Sequence, residues 1–122
     1  MYIIRKSFEF SAKHALSGLP EGHQCARDHG HNYVVTVELS STSLNEVGFV
    51  KDYGELKPIK EYIDSTFDHR DLNAIFTFNP TAENMAKFFF EYFRSVLGFK
   101  QLRAVDVSET PKTVSRYTPD YD

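Results

Sequence analysis

Two long segments whose side chains alternate well enough for strands, residues 2–14 and about 29–41, most constrain the fold. An alternation of period two is typical of a β-strand with one buried face. The side chains expected on the buried faces are Phe8, Phe10, Ala12 and His14 in the first segment and His31, Tyr33, Val35, Val37 and Leu39 in the second. Glycine and proline interrupt residues 16–28, which we predict to be a loop. The two segments therefore predict a long antiparallel strand pair with one wetter face.

The middle of the chain has helical periodicity. Residues 42–51 are turn-like, and apolar residues recur at helical spacing between residues 52 and 67. Pro58 belongs in a first turn, so we place the helix start near Glu55. After a predicted loop over residues 68–80, Thr81 is the expected N-cap of a second helix that runs to about Leu97. The apolar face expected for this helix comprises Met85, Ala86, Phe89, Phe90, Phe93, Val96 and Leu97.

Two further alternating segments, residues 102–108 and 113–117, complete the pattern. The predicted order is β-β-α-α-β-β, and strands at both ends with helices between them indicate an α+β fold with an antiparallel sheet. No internal repeat or linker divides the chain, so we predict one domain over residues 1–122.

Composition narrows the class of protein. The net charge of −3 argues against a nucleic-acid-binding module, which needs a basic surface. A single cysteine excludes an internal disulfide, and we find neither an apolar run of membrane-spanning length nor a signal-peptide pattern. We therefore expect a soluble cytoplasmic protein without a membrane or nucleic-acid partner. Eleven Phe and seven Tyr give a short chain many rings, so either the core is rich in rings or another subunit covers some of them.

Four of the five histidines lie close together in the sequence, near the cysteine. His29 and His31 are two residues apart, so in a strand their side chains share a face at a backbone separation of roughly 6–7 Å. His14 ends the preceding strand and reaches the same point if the two strands are antiparallel. Three neutral imidazoles suit Zn²⁺ and leave a fourth position for water or substrate.

Two less specific interpretations remain open for this cluster. Each histidine could be an ordinary surface residue, or Cys25 could complete a closed structural zinc site. Cys25 could instead be a base or nucleophile, because Arg27 and a nearby cation would lower the pKa of its thiol. A buried, inert cysteine is the alternative. We assign no role to His23, which we expect at a loop tip.

Two acidic positions outside the cluster have open interpretations. Asp68 and His69 could form a proton relay in which the carboxylate orients the imidazole, or they could belong to an ordinary charged loop. Glu109, at the end of an alternating segment, could be a solvated residue or could bind the amidine-like edge of a ligand through two hydrogen bonds.

Five short motifs, taken together and in order, resemble the 6-pyruvoyltetrahydropterin synthase superfamily. The motifs are Phe10-Ser11-Ala12-Lys13-His14, Cys25-x-x-x-His29-Gly30-His31-Asn32-Tyr33, Asp68-His69-Arg70-Asp71-Leu72-Asn73, Pro80-Thr81-Ala82-Glu83-Asn84 and Val107-Ser108-Glu109-Thr110. The resemblance covers roughly residues 8–118. Three residues separate Cys25 from His29, which is similar to the bacterial carboxy-forming branch, the 6-carboxy-5,6,7,8-tetrahydropterin synthases. The pyruvoyl-forming branch has a longer gap there and is the alternative.

The resemblance implies a fold and an assembly. The family has the tunnelling fold, in which β-β-α-α-β-β subunits join their sheets into an intersubunit barrel, usually as trimers paired into hexamers. Its active sites lie at subunit interfaces. We therefore expect a homo-oligomer, most simply a hexamer formed as a dimer of trimers.

The resemblance also implies a reaction and residue roles. The reaction converts 7,8-dihydroneopterin triphosphate to 6-carboxytetrahydropterin, acetaldehyde and triphosphate, on the route to 7-deazaguanine bases such as queuosine. By motif, His14, His29 and His31 would bind Zn²⁺, Cys25 would take a proton, and His69, oriented by Asp68, would relay one. Glu109 would bind the amino-pyrimidine edge of the pterin in a pocket that Thr81 helps to line. For the triphosphate, Lys13 and Arg27 are candidates on charge and position alone. Ala82 departs from the small hydroxylated residue that relatives often carry there.

Overall fold

The computed structural model describes residues 1–27 and 29–119. Within them, five strands form one sheet: β1 (Tyr2–His14), β2 (His29–Ser41), β3 (Arg70–Asp71), β4 (Leu102–Thr110) and β5 (Thr113–Tyr117). The α-helices are α1 (Lys57–Thr66), α2 (Leu72–Ile75) and α3 (Ala82–Ser95), and short 3₁₀ helices span Gln24–Ala26 and Tyr53–Leu56. The predicted single domain also includes Asp28 and residues 120–122, which lie outside the described residues, and it stays a prediction.

The predicted long strand pair is confirmed, with its bounds. β1 and β2 pair antiparallel from Tyr2 opposite Ser41 to His14 opposite His29. The expected inner faces are buried except at His31, which is partly exposed, and Tyr33 is completely shielded from solvent. The sheet order is β3-β1-β2-β4-β5, and β3, which pairs parallel with β1, is the exception to the antiparallel pairing.

The helices cover one face of the sheet and supply much of the core. Pro58 lies in the first turn of α1 as predicted, after a 3₁₀ turn that Asp52 caps through the N–H of Gly54. Thr81 caps α3 by accepting the N–H of Asn84 at 3.1 Å. Helix α3 ends at Ser95, two residues earlier than predicted, so Val96 does not extend the buried face and is 64% exposed. No helix in the described residues is long and apolar enough to cross a membrane.

The segment predicted as a loop over residues 68–80 contains the short elements β3 and α2. Strand β3 pairs with β1 at Ala12 and Lys13, and Asp71 then caps α2 by accepting the N–H of Asn73 at 3.0 Å. Both elements are too short to show a period in the sequence. Their position depends on pairing with β1, which is distant along the chain.

The sheet face opposite the helices is organised around two buried carboxylates. Glu38 and Asp106 are each 6% exposed, although Glu38 lies on the face predicted to be wetter. Arg116 binds both carboxylates, and Arg5 binds Asp106 at 2.6 Å. These ion pairs compensate for the loss of hydration that burial imposes on the carboxylates.

Candidate metal centre and active site

The three predicted metal ligands converge at one end of the sheet. The antiparallel register puts His14 opposite His29 and Ala12 opposite His31, so the three imidazoles share the inner face. The ligand nitrogens lie within 4.8 Å of one another, and the Nε2 atoms of His14 and His29 are 3.1 Å apart. That spacing fits nitrogen ligands around one tetrahedral ion.

Backbone carbonyls orient two of these rings. The Nδ1 atom of His14 is 2.8 Å from the carbonyl oxygen of Pro80, and that of His29 is 2.6 Å from the carbonyl oxygen of Arg27. Because a carbonyl only accepts, each Nδ1–H donates, and each Nε2 keeps a lone pair for a metal. Burial lowers the pKa of His14, which favours the neutral form that a metal ligand must have. The donor set therefore fits Zn²⁺.

A cleft of about 670 Å³ opens onto this cluster. The three histidines, Cys25, Arg27 and Glu109 all line it. The carboxylate of Glu109 is 3.5 Å from Nε2 of His14 and 3.6 Å from Nε2 of His31. In the described part of the chain, the metal-ligand grouping contains the three histidines but not the thiol of Cys25.

Both backbone groups of Cys25 form hydrogen bonds that hold its loop. The N–H of Cys25 donates to Nδ1 of His23 at 3.0 Å, so His23 caps the 3₁₀ helix Gln24–Ala26. The carbonyl of Cys25 accepts the N–H of Leu16 at 2.9 Å. The sequence gives no signal for this role, because histidine is not a typical N-cap residue and a three-residue 3₁₀ helix shows no period.

Asp68 and His69 form the predicted pair beside β1, immediately before β3. Nδ1 of His69 is 3.0 Å from Oδ2 of Asp68, while Oδ1 of Asp68 accepts the N–H of Ser11 at 2.9 Å. That backbone hydrogen bond, followed by the one to His69, lowers the pKa of Asp68 and keeps it ionised at neutral pH. His69 has a left-handed backbone, with φ of 59°, and its ring is 81% exposed.

A separate cleft of about 450 Å³ contains His69. Lys13 and Arg70 line it, whereas Cys25 and Arg27 line the cleft at the histidine cluster; His31 borders both clefts. One chain therefore does not bring Cys25 and His69 into the same cleft. Thr81 lines neither cleft and uses its hydroxyl to cap α3.

The fold and the three-histidine cluster define a class of protein, and similarity to known proteins identifies that class. Residues 3–120 match the family described as 6-pyruvoyl tetrahydropterin synthase. A solved structure of 6-pyruvoyl tetrahydropterin synthase from Caenorhabditis elegans is 30% identical, superposes with a TM-score of 0.85, and covers 98% of this chain and 96% of its own. The chain has the α+β tunnelling fold of these proteins, as predicted.

The chain belongs to the 6-pyruvoyl tetrahydropterin synthase family, which confirms the resemblance seen in the motifs. An Archaeoglobus fulgidus protein provisionally named 6-carboxy-5,6,7,8-tetrahydropterin synthase is 35% identical over 85% of this chain and 87% of its own. A Bacillus subtilis protein named 6-carboxy-5,6,7,8-tetrahydropterin synthase is 28% identical over 95% of this chain and 84% of its own.

Proposed function

We propose that the chain is a zinc-dependent 6-carboxy-5,6,7,8-tetrahydropterin synthase that acts on 7,8-dihydroneopterin triphosphate. The observation that carries the proposal is the convergence of three imidazoles, Cys25 and Glu109 on one cleft. The names of the Archaeoglobus fulgidus and Bacillus subtilis relatives support the carboxy-forming branch, as does the gap of three residues between Cys25 and His29. The proposal includes a cytoplasmic location and a place on the route to 7-deazaguanine bases such as queuosine.

The proposed metal ligands are His14, His29 and His31, through their Nε2 atoms. Bound Zn²⁺ would supply Lewis acidity, which withdraws charge from side-chain oxygens of the substrate and makes neighbouring C–H bonds more acidic. Cys25, which borders the same cleft, is the proposed proton acceptor.

Asp68 and His69 are the proposed partners of Cys25 in proton transfer. Because Nδ1–H of His69 donates to ionised Asp68, Nε2 stays available at the exposed side of the ring. For Cys25 and His69 to exchange protons with the same substrate, that substrate must lie between the thiol and the imidazole.

Substrate binding requires an acceptor for the pterin and cations for the triphosphate. The carboxylate of Glu109 is the proposed partner of the amino-pyrimidine edge, from whose N–H groups it can accept two hydrogen bonds. Thr81 lines neither cleft of a single chain, so its proposed place in the wall of that pocket requires a pocket completed by another copy. Arg27 and Lys13 are the proposed triphosphate ligands, and each borders one of the two clefts.

The separation of the clefts supports an active site shared between copies. If the His69 cleft of one copy faces the Cys25 cleft of another, both acid–base groups and both cations meet at one substrate. The sheet also has pairing edges on both sides, because β3 covers β1 only at Ala12 and Lys13 and β5 is the last strand on the other side. Joined edges would close the proposed barrel, with a dimer of trimers as its expected form.

A product assay tests the proposal. The metal-loaded protein is incubated with 7,8-dihydroneopterin triphosphate, and the pterin and volatile products are identified by mass spectrometry. We expect 6-carboxytetrahydropterin, triphosphate and one acetaldehyde per turnover, with one water consumed in cleaving the carbon–carbon bond. Intact substrate after prolonged incubation with the metal-loaded oligomer would overturn the proposal.

A 6-pyruvoyltetrahydropterin synthase is the second candidate. It is favoured by the likeness to the Caenorhabditis elegans structure, which carries that name. This enzyme removes triphosphate and keeps the three-carbon side chain. The same assay separates the two candidates, because a pyruvoyl product is formed without release of acetaldehyde.

A further inference from the structure

Two asparagine side chains bind the chain where it leaves strand β1 after His14. The side-chain oxygen of Asn73 accepts the N–H of Ala15 at 2.7 Å, and its amide nitrogen donates to the carbonyl of Ala15 at 2.9 Å. Asn79 does the same for Ser17, at 2.9 and 3.0 Å. Each amide therefore satisfies both backbone groups of one residue.

These side-chain amides bind the backbone beyond the point where pairing between β1 and β3 ends. Strand β3 pairs with β1 only at Ala12 and Lys13. Beyond that point a primary amide offers one donor and one acceptor, as a neighbouring strand would. The backbone of Ala15 and Ser17 is thereby held in place without a further strand.

The residue between the two bound residues connects them to Cys25. The N–H of Leu16 donates to the carbonyl of Cys25 at 2.9 Å. Because Ala15 and Ser17 are both bound by asparagines, the position of Leu16 is determined on each side. The position of Cys25 at the cleft therefore depends on Asn73 and Asn79 through one backbone hydrogen bond.

The segments that carry the two asparagines are themselves well anchored. The N–H of Asn73 is bound by the side chain of Asp71, and the carbonyl of Asn79 accepts from the N–H of Thr81 and the side chain of Asn84. The next residue, Pro80, orients the ring of His14 through its carbonyl. The two amides thus link the Cys25 loop to the same framework that orients a metal ligand.

We propose that Asn73 and Asn79 are positioning residues that hold Cys25 at the histidine cluster. The catalytic consequence rests on the proposed role of Cys25 as proton acceptor. The positioning itself does not depend on the substrate, and it is measured without one.

The first test measures the loop directly in Asn73→Ala and Asn79→Ala. We expect the amide of Leu16 to exchange with solvent about tenfold faster in each variant, because each loses two hydrogen bonds that hold its neighbours. Iodoacetamide should alkylate Cys25, the only thiol of the chain, faster by a similar factor. The amides of Val35 and Val37 serve as internal standards for global unfolding, and their exchange should not change.

Asn45→Ala is the matched control. The side chain of Asn45 also holds a loop, by accepting the N–H groups of Val47, Gly48 and Phe49, but this loop follows the other end of β2. We expect the exchange of Leu16 and the alkylation of Cys25 in this variant to equal those of the unmodified chain. Unchanged exchange and alkylation in both test variants would overturn the proposal.

The second test separates positioning from binding. In the product assay, kcat should fall about tenfold in each test variant while KM changes less than about twofold, because a displaced base slows chemistry without removing a substrate contact. A rise of KM at constant kcat contradicts positioning of Cys25. If the unmodified chain does not act on the pterin, the exchange and alkylation results still decide whether the asparagines hold the loop.

Discussion

His14 links the fold to the chemistry at the scale of single residues. Its ring is completely buried, one nitrogen lies beside the carbonyl of Pro80 and the hydroxyl of Tyr33, and the other lies beside His29. One imidazole therefore has its hydrogen-bonding nitrogen directed into the protein and its ligand nitrogen directed into the cleft. Cys25 and Glu109 border that cleft without such burial, and neither belongs to the grouping of three histidines that could hold a metal ion.

The first prediction concerns Cys25→Ala. We expect the variant to keep its fold and one equivalent of zinc, because the three imidazoles form the metal grouping without the thiol. Turnover should fall at least about a hundredfold, the lower range for loss of a general base. Metal analysis and the product assay measure both. Loss of zinc in this variant would show that Cys25 is a fourth ligand and would refute the open site.

The second prediction concerns Glu109→Gln. Removing the negative charge weakens a two-point contact to an amino-pyrimidine, so KM should rise about tenfold or more. Zinc content should be unchanged, as measured by metal analysis of the purified variant. A KM equal to that of the unmodified chain would show that Glu109 does not bind the pterin.

At the scale of elements, helix α3 shows that helical spacing alone does not decide which side chains are buried. Phe89 and Val96 occupy the same predicted stripe, yet Phe89 is completely buried and Val96 is largely exposed. The ring of Phe89 packs against Phe10 of β1 and Phe67 at the end of α1. Helical spacing thus identifies a face, whereas the position of the helix end decides how far that face is covered.

The third prediction compares Phe89→Ala with Val96→Ala. Phe89→Ala should lower the free energy of unfolding by about 3–5 kcal/mol, because it leaves a cavity among packed rings. Val96→Ala should change that free energy by no more than about 0.5 kcal/mol, since the side chain is exposed. Urea denaturation measures both, and equal effects at the two positions would contradict the packing described for α3.

At the scale of the whole molecule, the two clefts divide the proposed machinery. Cys25, Arg27 and the histidine cluster border one cleft, and His69 and Lys13 border the other. Asp68 and His69 nevertheless form a well-defined pair, bound to β1 through Ser11. The cleft that contains His69 does not contain Cys25, the proposed base. A site shared between copies would bring His69 of one copy to Cys25 of another.

The fourth prediction is complementation between two inactive variants. Cys25→Ala and His69→Ala should each be inactive alone, but co-expression should restore about one quarter of the turnover, because a shared site needs one intact residue from each of two copies. The assay compares the co-expressed protein with a mixture of the separately assembled variants. Absence of any recovery after co-assembly would place the complete site within one chain.

The fifth prediction concerns removal of the metal. The three ligands lie on paired strands with a large buried core, so a chelator should abolish turnover while the chain stays folded by circular dichroism. Unfolding on chelation is the behaviour of a structural zinc module, in which metal binding supplies the folding energy. That outcome would favour the closed site with Cys25 as fourth ligand.

The sequence by itself determined the elements with a clear local period and the three histidines that converge at one end of the sheet. The bounds of β1 and β2 follow from alternation, and the placement of His14, His29 and His31 on one face follows from the antiparallel register. These properties depend on neighbours along the chain or on one strand pairing, so a sequence pattern records them.

Only the tertiary structure decided the features that depend on contacts between distant segments. No local period in the sequence indicates these features. They are strand β3, the exposure of Val96, the separation of Cys25 from His69, and the binding of Ala15 and Ser17 by Asn73 and Asn79. The hydrogen bonds from these asparagines join residues more than fifty positions apart, and such partners are chosen by how the packed elements meet.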